Sequence, residues 1–165
     1  MRNSRPFIAA GFLFFALLPD VSLAATATTT FPVTATVQNV CSVTASGLAF
    51  GSYDPTSNTD LDASTTLSVL CTTGTSFTVG LNAGNAPSAT VSSRAMVNGG
   101  NQLSYALYTD SGRTSNWGNT PGSDTPAAQV AGTSATVMTV FGRVAKRQNV
   151  PTGSYADTIT VTVNY

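Results

Sequence analysis

The most regular pattern in the chain is at its end, where Ile159, Val161, Val163 and Tyr165 alternate with Thr158, Thr160, Thr162 and Asn164. A period of two places one set against a core and the other in water, as in a half-buried strand. Shorter rows of the same kind precede it: Leu67, Val69 and Cys71; Phe77, Val79 and Leu81; Leu103, Tyr105 and Leu107. Ala135, Val137, Thr139 and Phe141 make a weaker row, because Met138 and Val140 occupy the opposite parity. Turn residues separate the rows at Thr73-Gly74, Asn98-Gly99-Gly100-Asn101, Asp110-Ser111-Gly112 and Asn149 to Gly153, and Ser115 to Thr133 reads as a long polar loop. No helical period is present, so the pattern predicts one antiparallel β-sandwich with no internal repeat and no second domain.

One stretch is too long for a sandwich strand. Phe31, Val33, Ala35, Val37, Cys41 and Val43 keep one parity, with only Asn39 interrupting. Thirteen extended residues reach about 43 Å, against about 17–20 Å for a usual strand. The half with Cys41 belongs to the domain; the half from Thr28 to about Val37 is expected to project from it. Nothing after Tyr165 pairs with the last strand, so that strand either lies between two earlier ones or exposes an edge. A projecting apolar strand and an open edge argue for head-to-tail polymerisation by strand addition.

Composition agrees with an exported all-β protein. Arg2 and Arg5, the apolar run from Phe7 to Leu18, and Ser22-Leu23-Ala24 form the three parts of a secretory signal peptide, cut after Ala24. The apolar run is short of the roughly 20 residues that a membrane span needs. No later segment could span a bilayer, so no membrane insertion of the mature chain is expected. Cys41 and Cys71 then enter an oxidising compartment and are expected to form one structural disulfide. Its closed loop should contribute about 3–4 kcal/mol on the chain-entropy argument.

Charge and chemistry exclude more than they include. Seven basic and seven acidic residues balance in 165, which argues against nucleic acid as a partner. There is no His and no Glu, so imidazole catalysis and the commonest metal ligand are absent. No catalytic, metal or cofactor residues are assigned, and no enzyme activity is expected. Asp60 and Asp62 read as a solvated turn, and Arg143, Lys146 and Arg147 as a solvated hairpin end. Trp117 reads as a loop clamp over the sandwich edge, and Tyr155 with Asp157 as a tyrosine-corner arrangement.

A set of motifs then falls in a familiar order: Cys41, Phe50-Gly51-Ser52-Tyr53-Asp54-Pro55, Cys71, Leu103 to Asp110, Trp117-Gly118, Val140 to Val144, and Gly153 to Val163. In these the chain resembles the spore coat protein U domain family, which includes subunits of archaic (Csu-type) chaperone–usher pili, over about residues 31–165. The resemblance implies an immunoglobulin-like β-sandwich that lacks its last strand. A periplasmic chaperone, and then at an outer-membrane usher the next pilin subunit, would supply the missing strand. Residues 25–36 become the donor extension and 37–165 the pilin domain, with the donor segment itself about Thr28 to Val37. Phe31, Val33, Ala35 and Val37 would point inward on the donor. Ile159, Val161, Val163 and Tyr165 would mark the strand at the chaperone and donor groove. Pro32, which cannot donate a ladder hydrogen bond, must face outward or mark where the donor begins. The implied product is a shaft or adaptor subunit of an extracellular surface pilus, exported through the periplasm and serving attachment and biofilm formation. The alternative is a free-standing secreted polysaccharide-binding or coat protein module using Trp117, Tyr105 and Tyr108.

Overall fold

A computed structural model describes residues 24–165. The signal peptide predicted at 1–24 therefore lies, but for its last residue, outside the described residues. The chain divides into two units, Met1–Ala35 and Thr36–Tyr165. In the first, residues 24–35 carry no strand and every one of them is exposed.

The second unit is built from antiparallel strands: β1 (Cys41–Ala45), β2 (Leu61–Cys71), β3 (Ser76–Leu81), β4 (Arg94–Asn98), β5 (Asn101–Tyr108), β6 (Gln129–Val130), β7 (Thr136–Val144) and β8 (Val161–Asn164). They form a five-stranded sheet in the order β1-β2-β7-β5-β4 and a three-stranded sheet in the order β6-β3-β8. The inner rows of the two sheets meet in one core. Leu67 and Val69 of β2, Leu103, Tyr105 and Leu107 of β5, and Val140 and Val144 of β7 face Phe77, Val79 and Leu81 of β3. This is an immunoglobulin-like sandwich. Each fully buried Val, Leu or Phe contributes about 1.5–3 kcal/mol, and alternation is what lets every second residue of these strands do so.

Local chemistry sets the strand ends. Asn98 pairs with Asn101 across β4 and β5, so Gly99-Gly100 is a two-residue hairpin. Only its first glycine needs a positive φ, +60° at Gly99, as a type II′ turn demands. Cys41 pairs with Cys71 in the β1–β2 register, and the two are joined by a disulfide across 30 residues of sequence.

Three expectations are revised. The core face of β7 is Met138, Val140 and Val144, while Val137 is exposed. Register decides this, because Met138 lies opposite Leu67 and Val144 opposite Leu61 and Tyr105. The long loop from Ser115 contributes the short strand β6, where Val130 and Gln129 pair with Ser76 and Phe77. The last strand is shorter than its alternation: pairing with β3 covers only Val161–Asn164. Just before it, the Thr160 amide is held by the Asn82 side chain at 2.8 Å.

The interior also holds a cation that the sequence pattern did not mark. Arg94 is fully buried and donates to four carbonyl oxygens: Asn82 at 2.8 Å, Val91 at 2.6 Å, Leu81 at 2.9 Å and Trp117 at 2.7 Å. Burial pushes the guanidinium below its ordinary pKa. The planar fork, with five donors, fits this ring of acceptors in a way an ammonium cannot. Trp117 is buried beside it, its indole N–H bonded to the Val79 carbonyl at 2.9 Å. We expect Arg94→Lys to destabilise the fold by about 2–4 kcal/mol, because it strands buried carbonyls, measured by urea denaturation. An unchanged midpoint would contradict this account of the core.

Candidate functional site

Among the described residues, the last strand has a partner on one side only. β3 pairs with β8, and β8 stands at the edge of its sheet. Val163 lies opposite Val79 and Val161 opposite Leu81 in the register. Val79 and Leu81 are each 1% exposed, whereas Val161 and Val163 are only half-buried. Directly opposed residues in an antiparallel pair share a face. Burial is therefore lost across a single strand spacing, about 4.8 Å.

Beside this edge two cavities, of about 460 Å³ and 570 Å³, share Leu48, Met96 and Tyr155 and form one cleft. The first has an apolar floor of Leu67, Leu81, Tyr105, Leu107 and Val140, and runs between Ala45–Leu48 on one lip and Tyr155–Val161 on the other. The second continues it past Phe50, Tyr53, Leu103, Val144 and Val150.

Both lips are pinned. On the first, the Phe50 ring stacks edge-on against Tyr105, with 6.0 Å between centroids. Leu48 and Phe50 pack over Gly142, where an added Cβ would meet them at 2.7 and 2.8 Å. The Tyr53 hydroxyl donates to the Ala145 carbonyl at 2.8 Å and accepts from the Gln148 amide at 2.7 Å. The Gln148 side chain in turn bonds both the amide and the carbonyl of Ser104, each at 2.8 Å, as a strand neighbour would.

On the second lip the Tyr155 hydroxyl donates to the Pro151 carbonyl at 2.9 Å, a tyrosine corner closed four residues upstream. Ala156 and Val97 exchange both of their backbone hydrogen bonds. Asp157 accepts from the Tyr105 hydroxyl at 2.8 Å and from the amides of Asn85 and Thr158 at 2.7 and 2.8 Å. Burial, and then the bond to Asp157, hold the Tyr105 proton well above the ordinary phenol range. Among the described residues, Asp157 is the one charged side chain on the cleft lining, and its oxygens are occupied.

The residues singled out from sequence fall as follows. Ile159 and Val161 line the cleft, Val163 packs on the core, and Tyr165 is 60% exposed beyond the end of β8. Phe31 and Val33 are 79% and 84% exposed, Ala35 is exposed, and Val37, in the second unit, is 82% exposed. Trp117 and Tyr105 are buried, which removes both from any sugar-stacking surface. Leu48, Met96, Asp157 and Gln148 were not foreseen as parts of this site. Phe50 and Tyr53 were visible only within the Phe50 to Pro55 motif.

Asp60 and Asp62 are exposed, as a solvated turn would leave them, but Asp62 stands in β2 and both are paired. Arg143 holds Asp62 through two bonds, at 2.8 and 2.9 Å, and Arg113 approaches it at 3.3 Å. Asp60 accepts from the Lys146 amide at 3.0 Å, and Arg147 bonds the Asn58 side chain at 2.7 Å. This ion-pair cluster ties β2 to β7 and leaves no carboxylate pair free for acid–base work.

The Arg143 hydrogen bonds, with the charges of Arg113 and Arg143, hold the Asp62 carboxyl below its ordinary value. A depressed carboxylate pKa contributes stability above the unfolded value, about 3.9, which is lost as pH falls through the folded one. We expect Asp62→Asn to be less stable than the parent at pH 6 and to lose less of its stability between about pH 4 and 2, read from urea midpoints. Parallel acid profiles would count against the pairing.

The comparisons with known proteins point one way. The profile of the Spore Coat Protein U domain matches residues 27–162. Protein U of Myxococcus xanthus is 38% identical over 157 residues, covering 86% of this chain and 87% of that protein. A chain of the crystallised CsuC–CsuE chaperone–tip adhesion subunit pre-assembly complex, from archaic chaperone–usher Csu pili of Acinetobacter baumannii, has a TM-score of 0.57 at 22% identity over 79% of this chain. This chain spans 40% of that one, and the likeness is one of fold.

Proposed function

Because this chain belongs to the Spore Coat Protein U domain family, we propose that it is a non-catalytic subunit, shaft or adaptor, of a surface pilus built by the chaperone–usher pathway through donor-strand exchange. The observation that carries this reading is the apolar cleft bordered by Tyr155–Val161, leading to the start of the edge strand β8. Core-type side chains that stay half-buried there gain cover from one added strand, and the free edge of β8 gains a hydrogen-bonded partner.

The donor is the segment Thr28 to Val37 of a neighbouring copy, with Phe31, Val33, Ala35 and Val37 turned into the cleft. Residues 25–36 form the extension and 37–165 the receiving domain. Four such side chains contribute on the order of 5–8 kcal/mol of apolar transfer per joint, offset in part by ordering the segment. A periplasmic chaperone covers the cleft after export, and the outer-membrane usher is where the exchange takes place. The likeness in fold to a chain of a chaperone–pilus subunit complex supports a chaperone and other pilin subunits as partners. The fibre is extracellular and serves attachment and biofilm formation.

Deleting residues 25–36 is expected to abolish polymerisation while leaving a domain that takes up a synthetic peptide of residues 28–37, with a rise in its melting temperature. Sedimentation and thermal melts with and without the peptide measure both. A truncated chain that is fully stable alone and indifferent to the peptide would sink the proposal.

A further inference from the structure

The three residues between the donor segment and β1 are held unusually tightly for a stretch that is exposed throughout. The Thr72 hydroxyl accepts from the Val40 amide at 3.1 Å and donates to the Gln38 carbonyl at 2.9 Å. The Thr72 amide donates to the Val40 carbonyl at 2.9 Å. The buried Thr75 donates its hydroxyl proton to the Asn39 side chain at 3.3 Å. The next residue, Cys41, is joined to Cys71. Residues 38–41 are thus fastened at four successive positions to residues 71–75. The Thr72 amide to Val40 carbonyl bond continues the β1–β2 register, which begins at Cys41↔Cys71, but the bonds of the Thr72 hydroxyl to Gln38 and Val40 and of Thr75 to Asn39 are additions that the ladder does not require.

The fastening bears on an ambiguity in any strand-exchange mechanism. A donor segment attached to its own domain faces two grooves: its neighbour's and its own. The cleft opens at the far end of β1, at Ala45–Leu48. To enter its own cleft, the segment would have to reverse within residues 37–40 and run back along β1 as a hairpin. A tight turn satisfies its polar groups by bonds inside the turn. Here the Gln38 carbonyl and the amide and carbonyl of Val40 are already bonded to Thr72, and the Asn39 side chain to Thr75. Reversal would have to break these bonds and leave the Thr72 amide and the buried Thr75 hydroxyl to find new partners.

We propose that Thr72, with Thr75, is a clamp that stops the donor segment from folding back into its own cleft and so commits it to a second copy of the chain. Thr72 is a positioning residue: it touches neither cleft nor donor side chain, and acts through the backbone of residues 38–40. The inference rests on the strand-exchange reading, and its test separates the two.

Chains beginning at Ala25 are refolded without chaperone as the parent, Thr72→Val and Thr72→Ser, and sedimentation measures how each divides between polymer and monomer. Thr72→Val keeps the shape of the side chain and removes the hydroxyl. It is expected to raise the ratio of closed monomer to polymer roughly tenfold, the effect of losing about two hydrogen bonds. Those monomers should refuse a labelled peptide of residues 28–37 and survive denaturant that unfolds the parent monomer. Thr72→Ser should divide as the parent does. A second variant does not touch the clamp: two glycines inserted between Val37 and Gln38 give the segment slack to turn, and should raise the closed monomer as well. If Thr72→Val and the insertion both divide as the parent does, the clamp is refuted while strand exchange stands. If the parent neither polymerises nor takes the peptide, strand exchange itself fails and the clamp falls with it.

Discussion

A sheet edge that carries core residues must be covered, and the rest of this structure is arranged around one edge where that cover is partial. β8 inherits the inward parity of Val161 and Val163 from its pairing with β3. Their partners Val79 and Leu81 are sealed, with β8 on one side and the Trp117–Gly118 loop bonded to their backbone on the other. The difference between the two strands is not in residue type. It lies in what stands alongside, since apolar side chains on a sheet are shielded by lateral neighbours as much as by the opposite layer. An edge so composed is a liability in a solitary protein and an adhesive in a polymer.

A cleft lined by apolar groups would ordinarily close up, because collapse removes surface from water. Here both lips are tied to groups outside the cleft. Tyr53 and Gln148 hold the first lip to the end of β7 and to β5. The second is held to β4 through Ala156 and to Asn85 and Tyr105 through Asp157. Arg94 fixes the floor by joining the end of β3 to the Trp117 loop. The Arg94 bonds lie in the low-dielectric interior, where they are costly to disrupt, and the lip anchors add to them at the margin. They preset the cleft, and preorganisation lowers the ordering cost of whatever strand docks there.

Much of this could be read from the sequence, and the limit of reading is physical. Rows with one clean parity, such as Leu67 to Cys71 and Phe77 to Leu81, name their own buried face, because a one-residue slip would turn every side chain outward. The Gly99-Gly100 hairpin was equally plain. The row around Val137 and Val140 is apolar on both parities, and only the register against β2 and β5 decides it. The ion pair of Asp62 with Arg143 joins residues 81 apart, and Arg94 finds acceptors as far off as Trp117. Contacts of that kind leave no local pattern. The cleft falls between: Ile159 and Val161 were legible from alternation, whereas Leu48, Met96 and Asp157 became neighbours only through the crossing of the sheets.

The scarcity of charge gains meaning from where the charges stand. Arg113, Arg143, Asp60 and Asp62 are consumed by one another at the β2–β7 margin. Among the described residues, the cleft lining holds only Asp157, already bonded to Tyr105, Asn85 and Thr158. A strand entering such a cleft strips water from carbon and from the amides along β8, and from no unpaired ion. That matters because desolvating a charge costs more than a surface pair returns. The segment Ala24 to Val40 is itself free of charge, so neither surface asks the other for a counterion. Complementarity is then a matter of side-chain parity and main-chain pairing. On the strand-exchange reading proposed above, direction then falls to the few bonds at residues 38–40, where the proposed donor segment leaves its domain.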